Sequence, residues 1–346
     1  MTFISSLGQQ QDQTVRLGSL QLQLSLLQTQ VATGKKTSLM KGLGTDVVIT
    51  NRARADFQRI DTYLQNIERS KTRITQMEAG LKTIQTQVNN VIDSVVNQTQ
   101  EGDVELGFIK RLAENSYDFI LDTLNMKDGD AYIFTGSDTS NKPISDTGSL
   151  DAFYANLNAE WSAGTLSVTP PNTTISEEYI ARYKNISSVT LGYSGSLSNA
   201  KQVYVRADDT VEFNYTVLAD DPAFKDIIAG VTALKNIANL DTAPGATEEE
   251  RQKNFFAVFN DIASTLTKAV DSLDQERFKL QTTLVNSDTL KKELTLEKKT
   301  LLDTVSNIEN IDLNEVALKV TALQTQLEAS YQVTSIVSQL NLSNFM

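Results

Sequence analysis

The residues that usually carry chemistry are scarce in this chain, and what is missing narrows its functions sharply. It contains no histidine and no cysteine. Without histidine, the commonest general base and metal ligand are both lacking. Without cysteine there is no thiolate nucleophile, no disulfide framework and no soft metal site. Ser–His–Asp and Cys–His catalysis are excluded, as are tetrahedral zinc sites built on those ligands. Five short stretches remain to be weighed. Gly34-Lys35-Lys36-Thr37-Ser38 has the tail of a phosphate-binding loop, but that motif needs a glycine where Thr29 stands, so a helix-to-loop turn is the expected reading. Asp128-Gly129-Asp130 and Asp208-Asp209 lack the spacing of a calcium loop and read as turns. Asn172-Thr173-Thr174 and Asn185-Ile186-Ser187 match glycosylation sequons, which are frequent by chance. Carboxylate, lysine or tyrosine chemistry stays open but needs a convergent cluster; no catalytic, cofactor or metal site is expected, and the chain reads as a non-enzyme.

Charge and hydropathy restrict the partners. The 346 residues carry a net charge of −12, which repels nucleic-acid backbones and anionic membrane surfaces alike. Met1 to Gln11 has no charged side chain and no apolar run of the kind that a cleaved signal requires. No stretch is long and apolar enough for a membrane span. A soluble, uncleaved chain without membrane insertion is expected.

The residues with an informative spacing are apolar, and they lie near the two ends. Leu17, Leu20, Leu24, Leu27 and Val31 are separated by alternating steps of three and four, which places them on one stripe of a helix. Leu313, Val316, Val320, Leu323 and Leu327 repeat the pattern, and it fades into Tyr331. A terminal amphipathic helix with no core of its own must cover its stripe with another helix. These eleven residues are the candidate assembly interface.

Between the ends, the elements that would position these stripes fall into blocks. Ile60, Leu64, Ile67, Ile74, Met77, Leu81, Ile84, Val88, Val91 and Val95 form a long stripe, with Lys71 in one seam position and a phase slip near Ile74–Met77. A helix over 50–100 is about 75 Å long and needs partner helices beside it. From about Asp128 to Asp221 the chain is rich in Gly, Ser, Thr and Tyr and contains Trp161, which is expected to pack inside a small domain. Val211, Phe213, Tyr215 and Val217 alternate as a strand, Val203-Tyr204-Val205 reads as its hairpin partner, and Ser188 to Tyr193 reads as another strand. Helix then returns at Asp221-Pro222, an N-cap followed by proline at N1, and again after the Thr247 to Glu250 capping box. The expected fold is mainly α with a β-rich insert: a long antiparallel helical, coiled-coil bundle formed from both termini around a small central β domain. Its expected divisions are an N-terminal polymerisation helix and loop (1–44), a helical rod in two halves (45–127 and 222–308), the insert (128–221) and a C-terminal polymerisation helix (309–346).

Two passages resemble a known family. Leu124-Asn125, Gly129-Asp130-Ala131-Tyr132-Ile133-Phe134-Thr135-Gly136 and Lys142-Pro143-Ile144 are similar to the passage that leads from rod to insert in the flagellin and hook-associated protein superfamily. Glu315-Val316-Ala317, Leu323 to Tyr331 and the ending Leu340-Asn341-Leu342-Ser343-Asn344-Phe345-Met346 resemble most the hook–filament junction branch, hook-associated protein 3. The loop Gly42-Leu43-Gly44-Thr45-Asp46-Val47 departs from the pattern common in the family. The resemblance implies a structural subunit of the bacterial flagellum, exported without a cleaved signal peptide. It implies hook-associated protein 1, flagellin, further copies of the chain and a cytoplasmic export chaperone as partners, and terminal helices that order on assembly. Flagellin itself and a secreted coiled-coil binding or translocator protein are the alternatives.

Overall fold

The computed structural model describes residues 2–101, 104–145 and 148–343. It is mainly helical with a small β component, as expected. The elements, in order, are helices α1 (Thr2–Thr33), α2 (Asp46–Glu101) and α3 (Leu106–Leu124); the hairpin β1 (Lys127–Asp128) and β2 (Ala131–Tyr132); α4 (Ser149–Ser162) and α5 (Ile175–Lys184); the hairpin β3 (Tyr204–Arg206) and β4 (Glu212–Asn214); and α6 (Pro222–Asn236), α7 (Glu248–Glu309) and α8 (Leu313–Ser343). Both hairpins are antiparallel. The chain divides into two compact units, one of residues 1–62 with 293–346, the other of residues 63–292. No helix among the described residues is long and apolar enough to cross a membrane.

The larger unit is organised by a heptad pattern on α2. Buried along one face of α2 are Ile60, just before this unit, and Tyr63, Ile67, Ser70, Ile74, Met77, Leu81, Ile84, Val88, Val91 and Val95. The steps alternate three and four without interruption, the 3.5-residue repeat of a coiled-coil seam. The phase slip expected near Ile74–Met77 is absent. Ser70, not Lys71, occupies the seam: its hydroxyl donates to Ile67 O, which lets a polar residue be buried with its hydrogen bond made. Lys71 lies beside the seam and pairs with Asp288 of α7 at 2.6 Å. Further pairs, Glu68 with Lys291, Glu78 with Arg277 and Gln85 with Asp274, advance along α2 as they retreat along α7, so these helices run antiparallel.

The insert differs in part from its expected form. The hairpin of β3 and β4 lies where the alternation places it, with Val205 opposite Phe213. Ser188 to Tyr193 is a turn, not a strand; Tyr193 makes only an isolated bridge to Ile144. Two helices, α4 and α5, supply most of the insert's regular structure. Helix α4 buries Leu150, Tyr154, Leu157 and Trp161, a helical spacing. Helix α5 begins at a reciprocal capping box between Thr174 and Glu177. Both pack on α6, whose N-terminus is fixed by Asp221 accepting from Ala223 N with Pro222 at the first turn. Trp161 is buried edge-to-face on Tyr179 at 4.9 Å.

Gly129 to Gly136 has a physical reason for each part. Gly129 provides the left-handed residue of the hairpin turn between β1 and β2. Phe134 is fully buried against Gly80 of α2 and edge-on to Phe224 of α6. Gly136 has φ +58, and a Cβ there would sit 2.5 Å from Lys201 O.

Candidate assembly site

Helices α1 and α8 form the smaller unit's terminal pair. Helix α1 ends at Gly34, whose φ of +70 suits the residue that terminates a helix. Helix α8 begins after Asp312, whose carboxylate accepts from Asn314 N and Glu315 N, an N-cap that satisfies two otherwise orphaned donors. The C-terminal end of α1 and the N-terminal end of α8 meet through main-chain bonds: Lys36 N donates to Glu309 O at 2.8 Å and Ile311 N to Gly34 O at 3.0 Å. The two helices therefore leave the same point and pack antiparallel along their lengths. Gln21 Nε2 donates to Tyr331 Oη at 2.7 Å farther along the pair.

Of the expected interface, Val316 and Leu327 are buried, 7% and 6% exposed. Leu17, Leu20, Leu24, Leu27, Val320 and Leu323 are half-buried, and Val31, Leu313 and Tyr331 are exposed. Leu17 faces Ala329 and Val333 across the groove between the helices. Two helices alone leave these seams only partly covered.

The opposite faces carry apolar residues that the single-stripe pattern passes over. Leu22 is 75% exposed and Leu318 73%. Val15 and Leu26 on α1, and Ile336 on α8, are also exposed. The signal was in the run Leu20, Leu22, Leu24, Leu26, Leu27, which a helix distributes around more than one side. Leu39 and Met40 in the loop, with Val48 and Ile49 at the start of α2, add further exposed apolar surface in the same unit. Asn344-Phe345-Met346 lies outside the described residues.

The Gly34-Lys35-Lys36 stretch is committed to this junction. Lys35 Nζ and Arg54 Nη2 both donate to the Glu309 carboxylate, at 3.0 and 2.5 Å. The two donated bonds, with Lys35 the stronger influence, hold that carboxyl below the usual carboxylate range against the opposing effect of burial. Lys36 Nζ donates to Asn307 O. Elsewhere Asp128-Gly129-Asp130 forms the turn of the first hairpin, and Asp209 accepts from Tyr63. Among the described residues no group of three His, Cys, Asp or Glu side chains could hold a metal ion.

Residues 263–346, covering α7 from Ala263 onward and all of α8, match the model of the bacterial flagellin C-terminal helical region. The C-terminal part of this chain is flagellin-like. The matched region begins within α7 and runs to the end of the chain. No curated protein matches the sequence. Among solved structures, a crystal structure of FlgL from Bacillus cereus aligns at 14% identity over 74% of this chain and 98% of its own, with a TM-score of 0.48. A putative flagellar hook-associated protein from Vibrio parahaemolyticus aligns at 12% identity over 76% of this chain and 97% of its own, with a TM-score of 0.44.

Proposed function

We propose that this chain is an axial structural subunit of the bacterial flagellum, the adaptor that joins a layer of hook-associated protein 1 to the flagellin filament. The observation that carries this reading is the incomplete burial of the α1/α8 pair. One of its helices lies within the flagellin-type region, and both display leucines to solvent. Exposing such side chains in a monomer gives up about 1.5–3 kcal/mol each relative to burial. Exposed apolar side chains grouped on one helix pair suit a docking face. Neighbouring copies and other flagellar helices would cover it, extending a head-to-tail lattice.

The remaining assignments follow from that role. Residues 1–44 and 309–346 are the polymerisation segments, and the helical and insert regions between them form the body of the subunit. Export without cleavage, with a cytoplasmic chaperone covering the C-terminal helix beforehand, suits a helix whose apolar face waits for its partner. The absence of cysteine suits a chain that passes from a reducing to an oxidising compartment. The filament subunit is the second reading, favoured by the flagellin match itself.

Electron microscopy of a strain lacking this chain separates them. Hooks without filaments, with flagellin lost to the medium, are expected for the junction adaptor. Normal filaments on hooks would refute it, and loss of the filament protein itself would favour the second reading.

A further inference from the structure

The backbone at the base of the terminal pair forms a small clasp. Segments 34–36 and 309–311 run antiparallel, joined by the two main-chain bonds described above and an antiparallel bridge between Lys35 and Asn310. Gln30 Nε2, in the last turns of α1, donates to Lys36 O and closes the α1 side. The Glu309 side chain is 9% exposed, whereas its partners Lys35 and Arg54 are about half exposed. One sheltered carboxylate thus ties together the exit of α1, the body of α2 and the end of α7, four residues before α8 begins. An exposed ion pair contributes little, but removing both cations from a sheltered carboxylate leaves it desolvated and unpaired.

This geometry has a consequence for the helices beyond it. The clasp fixes the C-terminal end of α1 and the N-terminal end of α8 relative to each other. It holds the adjoining turns at high effective concentration before any side chain farther out engages. The seams alone do not specify one alignment. Leucines recur at every turn of α1 from Leu17 to Leu27, so sliding the helices by one turn there exchanges one leucine contact for another. From this we infer that the Glu309 clasp, with Lys35 and Arg54, is a register-setting latch that aligns the two terminal helices within a single chain. Glu309 acts as a positioning residue through the main-chain bonds it stabilises. The inference concerns one chain, so it stands or falls separately from the flagellar reading.

The absence of native cysteine makes the test clean. In the full chain, as monomer, Gln21→Cys with Tyr331→Cys reports the native alignment with a short thiol-specific cross-linker. Gln21→Cys with Ser335→Cys reports an alignment displaced by about one helical turn. The native pair is expected to cross-link preferentially in the parent background. Glu309→Gln, and separately Lys35→Ala with Arg54→Ala, open the clasp from its two sides. Each is expected to lower the ratio of native to displaced cross-link by about threefold or more, the scale on which a lost alignment constraint acts. General destabilisation would lower both yields together and leave their ratio unchanged. An unchanged ratio in both variants overturns the inference, as does failure of the parent to favour the native pair.

Discussion

Gln21 Nε2 donates to the phenolic oxygen of Tyr331 at 2.7 Å, joining residues 310 positions apart in sequence. The bond lies on the surface of the pair, so it marks alignment more than it adds stability. The terminal pair is therefore built by alignment and half-covered seams, with side chains such as Leu22 and Leu318 facing outward. That asymmetry separates what folding of one chain requires from what assembly requires.

Leu22→Glu with Leu318→Glu is expected to leave the thermal midpoint of the isolated chain nearly unchanged, within about 0.5 kcal/mol per site, because both side chains face solvent. The same variant should fail to join filaments in complemented cells. Normal incorporation of the doubly charged chain would count against the docking face.

The register of the α2 seam can be tested at adjacent positions. Lys71→Ala removes a partly exposed pair with Asp288 and should cost less than about 1 kcal/mol. Ser70→Asp puts a charge into the buried seam, and about 2 kcal/mol or more is expected to be lost. Denaturant titration of both variants reads the order directly, and the reverse order would return Lys71 to the seam.

Glu178 supplies the pH dependence. Its carboxylate accepts from the Thr169 backbone N–H, the Asn172 amide, the Thr169 hydroxyl and Arg182, and these bonds hold it down to about 2 from an ordinary value of 4.5. A depressed carboxyl stabilises the fold fully above the ordinary value, and that contribution is lost as pH falls toward about 2. Thermal melts of Glu178→Gln should therefore lie below the parent at neutral pH and converge on it between pH 4.5 and about 2. Parallel curves across that window would show that the network does not act through the carboxylate.

Gly192 sits at φ +88, and an added Cβ would lie 2.1 Å from Ser145 O. Gly192→Ala is expected to destabilise the insert by more than about 1 kcal/mol, while Gly195→Ala, with open space around it, should change little. Chemical unfolding of the two variants makes the comparison.

Much of this architecture was legible wherever a local rule coincided with the tertiary structure. Gly34, Asp221-Pro222 and the Thr247–Glu250 box mark helix ends because each supplies groups that a helix terminus needs whatever surrounds it. Helix α5 carries the same signature in Thr174-Ile175-Ser176-Glu177, but a flanking stretch rich in Pro, Asn and Thr obscures it. Helix α4 shows steps of four and three from Leu150 to Trp161 amid small and polar residues, which dilute the stripe. Burial of Ser70 could not be read from residue type, because a serine enters a seam only once its hydroxyl finds a carbonyl such as Ile67 O. At the terminal pair, Leu17 to Leu27 announced a seam, whereas the outward exposure of Leu22 and Leu26 depends on which side α8 takes.

The account rests on the outer face of α1 and α8 being covered when the chain assembles. Thiol labelling of Leu22→Cys and Leu318→Cys, in the free chain and in isolated hook–filament particles, measures that coverage, with Val189→Cys in the insert as the exposed reference. Labelling at Leu22 and Leu318 is expected to slow by about tenfold or more on assembly, about 1.4 kcal/mol of protection, while Val189 stays reactive. Equal labelling of Leu22→Cys and Leu318→Cys in both states would contradict it.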